Sequence, residues 1–247
     1  MTCLALFMAS AATCATLLQH PKSPWSLGIP PTLVARVAMG VAMGVTAMAI
    51  VYSPLGRRSG AHMNPAVTLA FLRLGKIGPR DAAGYVVAQF AGGLAGIAIA
   101  TRVLANLPAD ASVNYVATMP GSAGSGAAFL AELAISFGMM LAILVVSNHP
   151  RHARLTGVCA GVLVCVYIAV EAPVSGMSMN PARSFGPALL ARSLDSIWIY
   201  FIAPLAGMLL AAEVFVRRLG APAAACAKLD HAPHVPCIFC LQTGTSR

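Results

Sequence analysis

The sequence predicts an all-α membrane protein with six transmembrane helices and two re-entrant half-helices, arranged as an inverted repeat. Three observations predict this fold. Of the 247 residues, 58% are hydrophobic and only 9% charged. Soluble domains carry about 25% charged residues, so the bilayer is the natural solvent for this chain. Six apolar runs approach the roughly 20 residues a helix needs to cross hydrocarbon. Two shorter runs each open with Asn-Pro-Ala and share their flanking residues.

The six long runs are Thr2–Leu18, Leu33–Tyr52, Asp81–Leu104, Gly126–Val146, Leu155–Val170 and Ser196–Val216. Pro, Gly or charge breaks the chain between them, as at Pro21-Lys22-Ser23-Pro24 and Asn148-His149-Pro150-Arg151. The first run lacks the basic start of a signal peptide and reads as a span. It is short, which leaves a start upstream of Met1 open.

The short runs are Asn64–Leu74 and Asn180–Ala191. At 1.5 Å per residue each is about 17 Å long, roughly half the hydrocarbon thickness. Asn at the N-cap and Pro at the first helical position favour a helix start at each box. The flank Ser59-Gly60-x-x-Met63-Asn64-Pro65-Ala66 recurs as Ser175-Gly176-x-x-Met179-Asn180-Pro181-Ala182. The chain therefore divides into a first repeat (1–120), a second repeat (121–218) and a cytoplasmic tail (219–247). Three spans per repeat force the copies to insert in opposite orientations. The half-helices then enter from opposite faces and point their N-termini at the midplane.

With both termini cytoplasmic, the inner segments hold Arg57, Arg58, Arg73, Lys76, Arg80, Arg151, Arg154, Arg217, Arg218, Lys228 and Arg247. The outer side holds Lys22, Arg36, Arg102, Arg183 and Arg192. This bias fits the positive-inside rule. Gly40/Gly44, Gly92/Gly96 and Gly157/Gly161 are small-residue pairs that let helix backbones approach in lipid.

The net charge of +9 is scattered among apolar runs, so nucleic acid is excluded as a partner. The spans contain no nucleophile–base pair and no metal constellation, which argues against an enzyme, and no cofactor is expected. Cys3, Cys14, Cys159 and Cys165 lie in apolar segments and read as small hydrophobes. The tail supplies Cys226, His231, His234, Cys237 and Cys240 in no standard finger spacing. A disordered tail is the favoured reading there, with a metal site as the alternative.

Non-helical backbone at membrane depth must be buried in protein or line a wet cavity. The loops before the boxes therefore expose carbonyls along Gly60, Ala61 and His62 and along Gly176 and Ser178. Asn64 and Asn180 add amide donors at the positive ends of two helix dipoles, a field that repels cations and protons. His62 faces a vestibule or bonds loop carbonyls, the second being favoured. Glu132 lies inside the fourth span, and a buried carboxylate needs donors, so it is expected to hold the second re-entrant loop. Glu171, just before Pro173, is placed at the interface.

The boxes Ser59-Gly60-Ala61-His62-Met63-Asn64-Pro65-Ala66-Val67-Thr68 and Asn180-Pro181-Ala182-Arg183-Ser184-Phe185-Gly186-Pro187-Ala188 resemble the major intrinsic protein (aquaporin and glycerol facilitator) family, of bacterial type. The resemblance covers about Met1 to Arg218. It implies a homotetramer with one pore per subunit, in a bacterial inner membrane. It places Arg183 in an outer constriction with Met43, Ile168 and Met177; a one-residue slip would bring Tyr167 or Ala169 there instead. Family water channels usually have an aromatic and a His at those places, and glycerol channels have aromatics and a Gly. Two Met and an Ile imply a wider, apolar filter. Ser184, Ala188, Tyr200 and Phe201 resemble the water-channel pattern. Relatives also carry a Glu in the first helix to anchor the first loop, whereas this chain has no acid before Asp81.

The function implied is a passive channel for water, with small neutral solutes as further cargo, excluding ions and protons. A glycerol facilitator with little water selectivity, an ion-coupled secondary transporter and a sealed junction protein are the alternatives.

Overall fold

The computed structural model describes residues 1–28, 31–220, 224–231 and 237–239. Among the described residues, six helices have the length and apolarity of membrane spans: α1 (Thr2–Gln19), α2 (Leu33–Tyr52), α5 (Pro79–Val103), α6 (Gly124–Ser147), α7 (Thr156–Ser175) and α9 (Ile197–Leu219). Two half-helices, α4 (Pro65–Arg73) and α8 (Pro181–Leu190), have Asn64 and Asn180 as their N-caps. A one-and-a-half-turn helix that the sequence did not announce, α3 (Pro54–Ser59), links α2 to the first re-entrant loop. Its start is legible in hindsight: Ser53 Oγ caps Gly56 N, and Pro54 occupies the first helical position.

The packing is matched across the two halves. Helix α1 packs on α5 as α6 packs on α9, and α1 meets α2 as α6 meets α7. Half-helix α4 rests on α9 of the other half, while α8 rests on α5. Helices α2 and α7 form the central seam between the halves. Close approach there depends on glycine: a Cβ on Gly44 would lie 2.5 Å from the Gly161 carbonyl oxygen, and one on Gly161 would lie 2.6 Å from that of Gly44. Small residues of this kind replace the hydrophobic effect as the basis of helix association in lipid.

The polarity runs inside out. Gln89, Glu132, Ser136, Ser175 and Ser184 are buried, whereas Val37, Val41 and Val45 on α2 and Val158, Val162, Val166 and Val170 on α7 are exposed. In water such valine faces would be a liability; in a bilayer they are the surface that hydrocarbon wets.

Helix α7 runs past the expected end at Val170 to Ser175, and Glu171 is buried within it. Pro173 has no N–H, which leaves the Ala169 carbonyl without its intrahelical donor. Arg36 Nε on α2 supplies that donor at 3.0 Å, and the helix continues through the proline. Gly176, in the left-handed region at φ 81°, then closes α7.

The segment between α5 and α6 folds into short 3-10 turns at Leu107–Ala109 and Asn114–Val116. Asp110 orders it by accepting from the hydroxyl and amide of Ser112, which hold its carboxyl below the usual carboxylate range.

The seam gives the first prediction. Gly161→Leu will destabilise the protein by about 1–3 kcal/mol through overpacking, read as a lower unfolding temperature in detergent. Val162→Leu, on the exposed face one residue along, will leave that temperature unchanged.

Candidate functional site

Each half-helix begins with an extended Asn whose side chain does two jobs. The Asn64 Oδ1 accepts from Ala66 N at 2.9 Å, and its Nδ2 donates to the Met179 carbonyl at 2.6 Å. The Asn180 Oδ1 accepts from Ala182 N at 3.1 Å and Arg183 N at 3.2 Å, and its Nδ2 donates to the Met63 carbonyl at 2.8 Å. The oxygen caps its own helix while the nitrogen ties that helix to the loop leading into the other. Each amide nitrogen carries two hydrogens, and that of Asn64 also donates to Met208 Sδ at 3.9 Å. Pro65, Ala66, Pro181 and Ala182 are buried behind the tips.

The loops feeding the tips use left-handed backbone. Gly60 and Ala61 stand at φ 74° and 59°, and Gly176, Met177 and Met179 at 81°, 52° and 56°. A non-glycine residue there costs about 1–3 kcal/mol and persists only where its surroundings hold it. Glu132 holds the second loop: its carboxylate accepts from Ser175 Oγ at 2.6 Å, Ser178 N at 2.6 Å and Met179 N at 2.7 Å. Ser178 Oγ donates to the Asn180 carbonyl at 3.0 Å, and Tyr200 Oη donates to that of Ser175 at 2.6 Å.

The first loop has a different anchor, which sequence reasoning missed. Gln89 on α5 donates from Nε2 to the His62 carbonyl at 2.8 Å and to Thr68 Oγ1 at 3.0 Å, while Tyr85 Oη donates to the Ser59 carbonyl at 2.8 Å. The available signal was a lone amide side chain in the middle of an apolar span. The two anchors differ in charge because their boxes do. Arg183 follows the second Asn-Pro-Ala and is in electrostatic reach of Glu132, whereas neutral Val67 follows the first.

A cavity of about 130 Å³ runs between the tips. Met43, Ile168, Met177 and Arg183 line it, and Tyr167 and Ala169 do not. Asn64, Asn180, Ala61, Ser178 and the loop methionines Met63 and Met179 also line it, as do Val51, Val67 and Leu229. Arg183 Nη1 lies 3.4 Å from the Val116 carbonyl. That carbonyl is delivered by the α5–α6 segment, where Asn114, Tyr115 and Val116 all have positive φ. Among the described residues, the cavity thus carries the permanent cation of Arg183, two amide tips, Ser178 and largely apolar walls.

Gly60, His62 and Gly176 do not line the cavity. Gly176 packs against Thr118 and Met119. His62 is buried, with Nε2 2.6 Å from the Ala227 carbonyl and Nδ1 3.3 Å from Thr68 Oγ1, and it is stacked between Phe71 and Phe239. Its carbonyl partner is therefore in the tail, not in the re-entrant loop.

The disordered tail favoured from composition is overturned for the described residues. Ala224, Ala227 and Leu229 are buried, Leu229 N donates to the Gly60 carbonyl at 3.3 Å, and Asp230 pairs with Arg57 Nε at 2.9 Å. Leu229 also lines the cavity, a contact that composition alone does not reveal. Cys226, His231 and Cys237 come together, their ligating atoms all within 4.8 Å of one another. His234 and Cys240 lie outside the described residues.

The chain has relatives among known proteins. The profile of the family described as Major intrinsic protein matches residues 1–215. Aquaporin NIP1-2 of Arabidopsis thaliana is 35% identical over 216 residues, covering 85% of this chain and 69% of the relative. Glycerol uptake facilitator protein-like 6 of Lactiplantibacillus plantarum is 36% identical over 192 residues, covering 75% and 88%. Aquaporin NIP1-4 of Oryza sativa subsp. japonica is 38% identical over 170 residues, of which this chain spans 60% of the length. Among solved structures, the aquaglyceroporin from Plasmodium falciparum superposes with a TM-score of 0.72 at 18% identity, covering 90% of this chain and 94% of that one, a likeness of fold.

The two anchors make a paired prediction. Glu132→Ala leaves two buried loop amides without acceptors, each costing about 1–3 kcal/mol, and will lower the unfolding temperature in detergent. Gln89→Leu removes the donor from one carbonyl and one hydroxyl and strands no backbone N–H, and its effect will be the smaller of the two.

Proposed function

The chain belongs to the major intrinsic protein family and is a passive membrane channel for water or small solutes rather than an enzyme, and on that premise we propose that its pore conducts water together with small neutral solutes of the glycerol class while excluding ions and protons. The observation that carries this reading is the mixed lining of the cavity. Met43, Ile168 and Met177 offer flexible, apolar contact, and Arg183 offers donors. A solute with hydroxyls along one edge and carbon along the other matches both kinds of contact, and water needs only the polar one. Two half-helix N-termini and a guanidinium impose a positive potential along the passage, which opposes cations and protons.

The relatives named above include aquaporins and a glycerol uptake facilitator, in line with mixed cargo. An ion-coupled cycle finds less support. The Glu132 carboxylate already accepts three hydrogen bonds from the second loop, which leaves it poorly placed to bind a coupling ion. In this reading both termini are cytoplasmic, and the valine faces of α2 and α7 meet lipid or neighbouring copies in a homotetramer.

Stopped-flow light scattering on proteoliposomes tests the proposal. In EDTA-containing buffer, the protein will pass water and glycerol with no ion gradient. Met177→Trp, which fills the apolar side of the passage, will cut glycerol flux at least about tenfold and water flux less. Equal glycerol flux in the variant and the parent would remove Met177 from the filter. Transport that requires a sodium or proton gradient would remove the channel reading altogether.

A further inference from the structure

The tail contacts concentrate on one face. Six spans bring both termini to the same side, together with the α2–α4 segment and the α6–α7 connection. The described tail residues bridge these two connections. Ala225 N donates to Asn148 Oδ1 at 2.6 Å after α6, while Asp230, Leu229 and Ala227 bond to Arg57, Gly60 and His62 before α4. Leu229 also forms part of the cavity wall. The Gly60 carbonyl, which a water file would use, accepts from Leu229 N instead. Tail atoms therefore occupy the mouth where solute would enter.

The same segment brings together a set of metal-ligand types. Cys226 Sγ and Cys237 Sγ stand 3.3 Å apart, well beyond a disulfide bond of about 2.05 Å. Tetrahedral zinc, with bonds to sulfur of about 2.3 Å, sets two thiolates about 3.8 Å apart, so a shift of half an ångström seats an ion. His231 brings its ring nitrogen within 4.8 Å of both sulfurs. Two thiolates and a neutral imidazole neutralise a divalent ion, which suits a site whose Cys237 is buried. Three protein ligands leave one tetrahedral position for water or a further donor.

We propose that residues 224–231 and 237–239 form a lid over the terminal mouth of the pore, and that Cys226, His231 and Cys237 bind a divalent ion of the zinc class that locks the lid shut. The ion joins the strand that carries Leu229 to the one that carries Phe239, whose ring stacks on His62 at 5.6 Å. Binding stabilises only the closed arrangement, since the opened tail has no reason to keep its three ligands together. The lid rests on the channel reading above; the metal site does not.

Two measurements on the full-length protein test both parts. Equilibrium dialysis will find one zinc per chain, and cobalt in its place will show thiolate charge-transfer absorption. Cys226→Ser/Cys237→Ser will lose both signals, and His231→Ala will weaken them. In proteoliposomes, zinc at a hundred times its dissociation constant shifts the closed-to-open ratio by up to about a hundredfold. Water flux of the parent will therefore fall at least about tenfold relative to EDTA. The double variant will pass water equally in both buffers, at or above the rate of the parent in EDTA.

Absence of stoichiometric zinc overturns the metal site, as does closure that follows oxidation and is reversed by thiol reductant alone. Stoichiometric zinc with unchanged parent flux overturns the lid. A double variant that folds, loses zinc and passes no water in either buffer overturns the channel reading while leaving the metal site standing.

Discussion

The reciprocal hydrogen bonds from Asn64 to the Met179 carbonyl and from Asn180 to the Met63 carbonyl are the interaction on which the rest of the structure depends. A half-helix that stops inside a bilayer exposes unpaired N–H groups at its tip and irregular backbone before it, and hydrocarbon satisfies neither. Here each tip is capped by its own Asn oxygen and moored by its Asn nitrogen to the loop entering the other tip. Neither half-helix can leave without stranding a polar group of its partner. The strained loop residues Ala61, Met177 and Met179 persist because both ends of their segments are held this way.

Mooring the tips does not settle the charge inside the protein, and the two repeats solve that problem differently. The second box carries Arg183 and is braced by Glu132; the first carries Val67 and is braced by Gln89. Burying an unpaired charge is expensive, so a carboxylate is tolerable beside a guanidinium and unsuitable beside a valine. The first-helix acid that relatives carry is absent here, and a neutral amide on a different helix, α5, does the bracing. The positive potential is consequently lopsided, strongest on the Arg183 side.

These contrasts explain what could be read in advance. The half-helices were legible to within a residue because their signals are local: Asn caps, Pro begins, and apolar length runs out. Spans were legible for a similar reason, since apolar runs bounded by Pro, Gly and charge leave few choices. The end of α7 was not, because Pro173 reads as a stop and only the distant Arg36 side chain cancels that signal. Gln89 was passed over because its partners, the His62 carbonyl and Thr68 Oγ1, lie on another element. The delivery of the Val116 carbonyl to Arg183 depends on three successive positive φ angles that no residue preference announces.

The tail shows how a closed mouth can be both specific and reversible. Among its attachments at the described residues are hydrogen bonds through backbone groups and the ion pair Arg57–Asp230, in which the arginine side chain is 42% exposed. A pair that open to solvent contributes little, typically under about 1 kcal/mol. Burying Ala224, Ala227 and Leu229 adds apolar contact, but ordering the segment costs entropy of the same order. The balance between covered and open mouths is therefore shallow. A shallow balance responds to any ligand that favours one side, whereas a deeply buried plug would not. Cys226, His231 and Cys237 group their ligating atoms within 4.8 Å of one another in that same segment, so a bound ion would act on this balance.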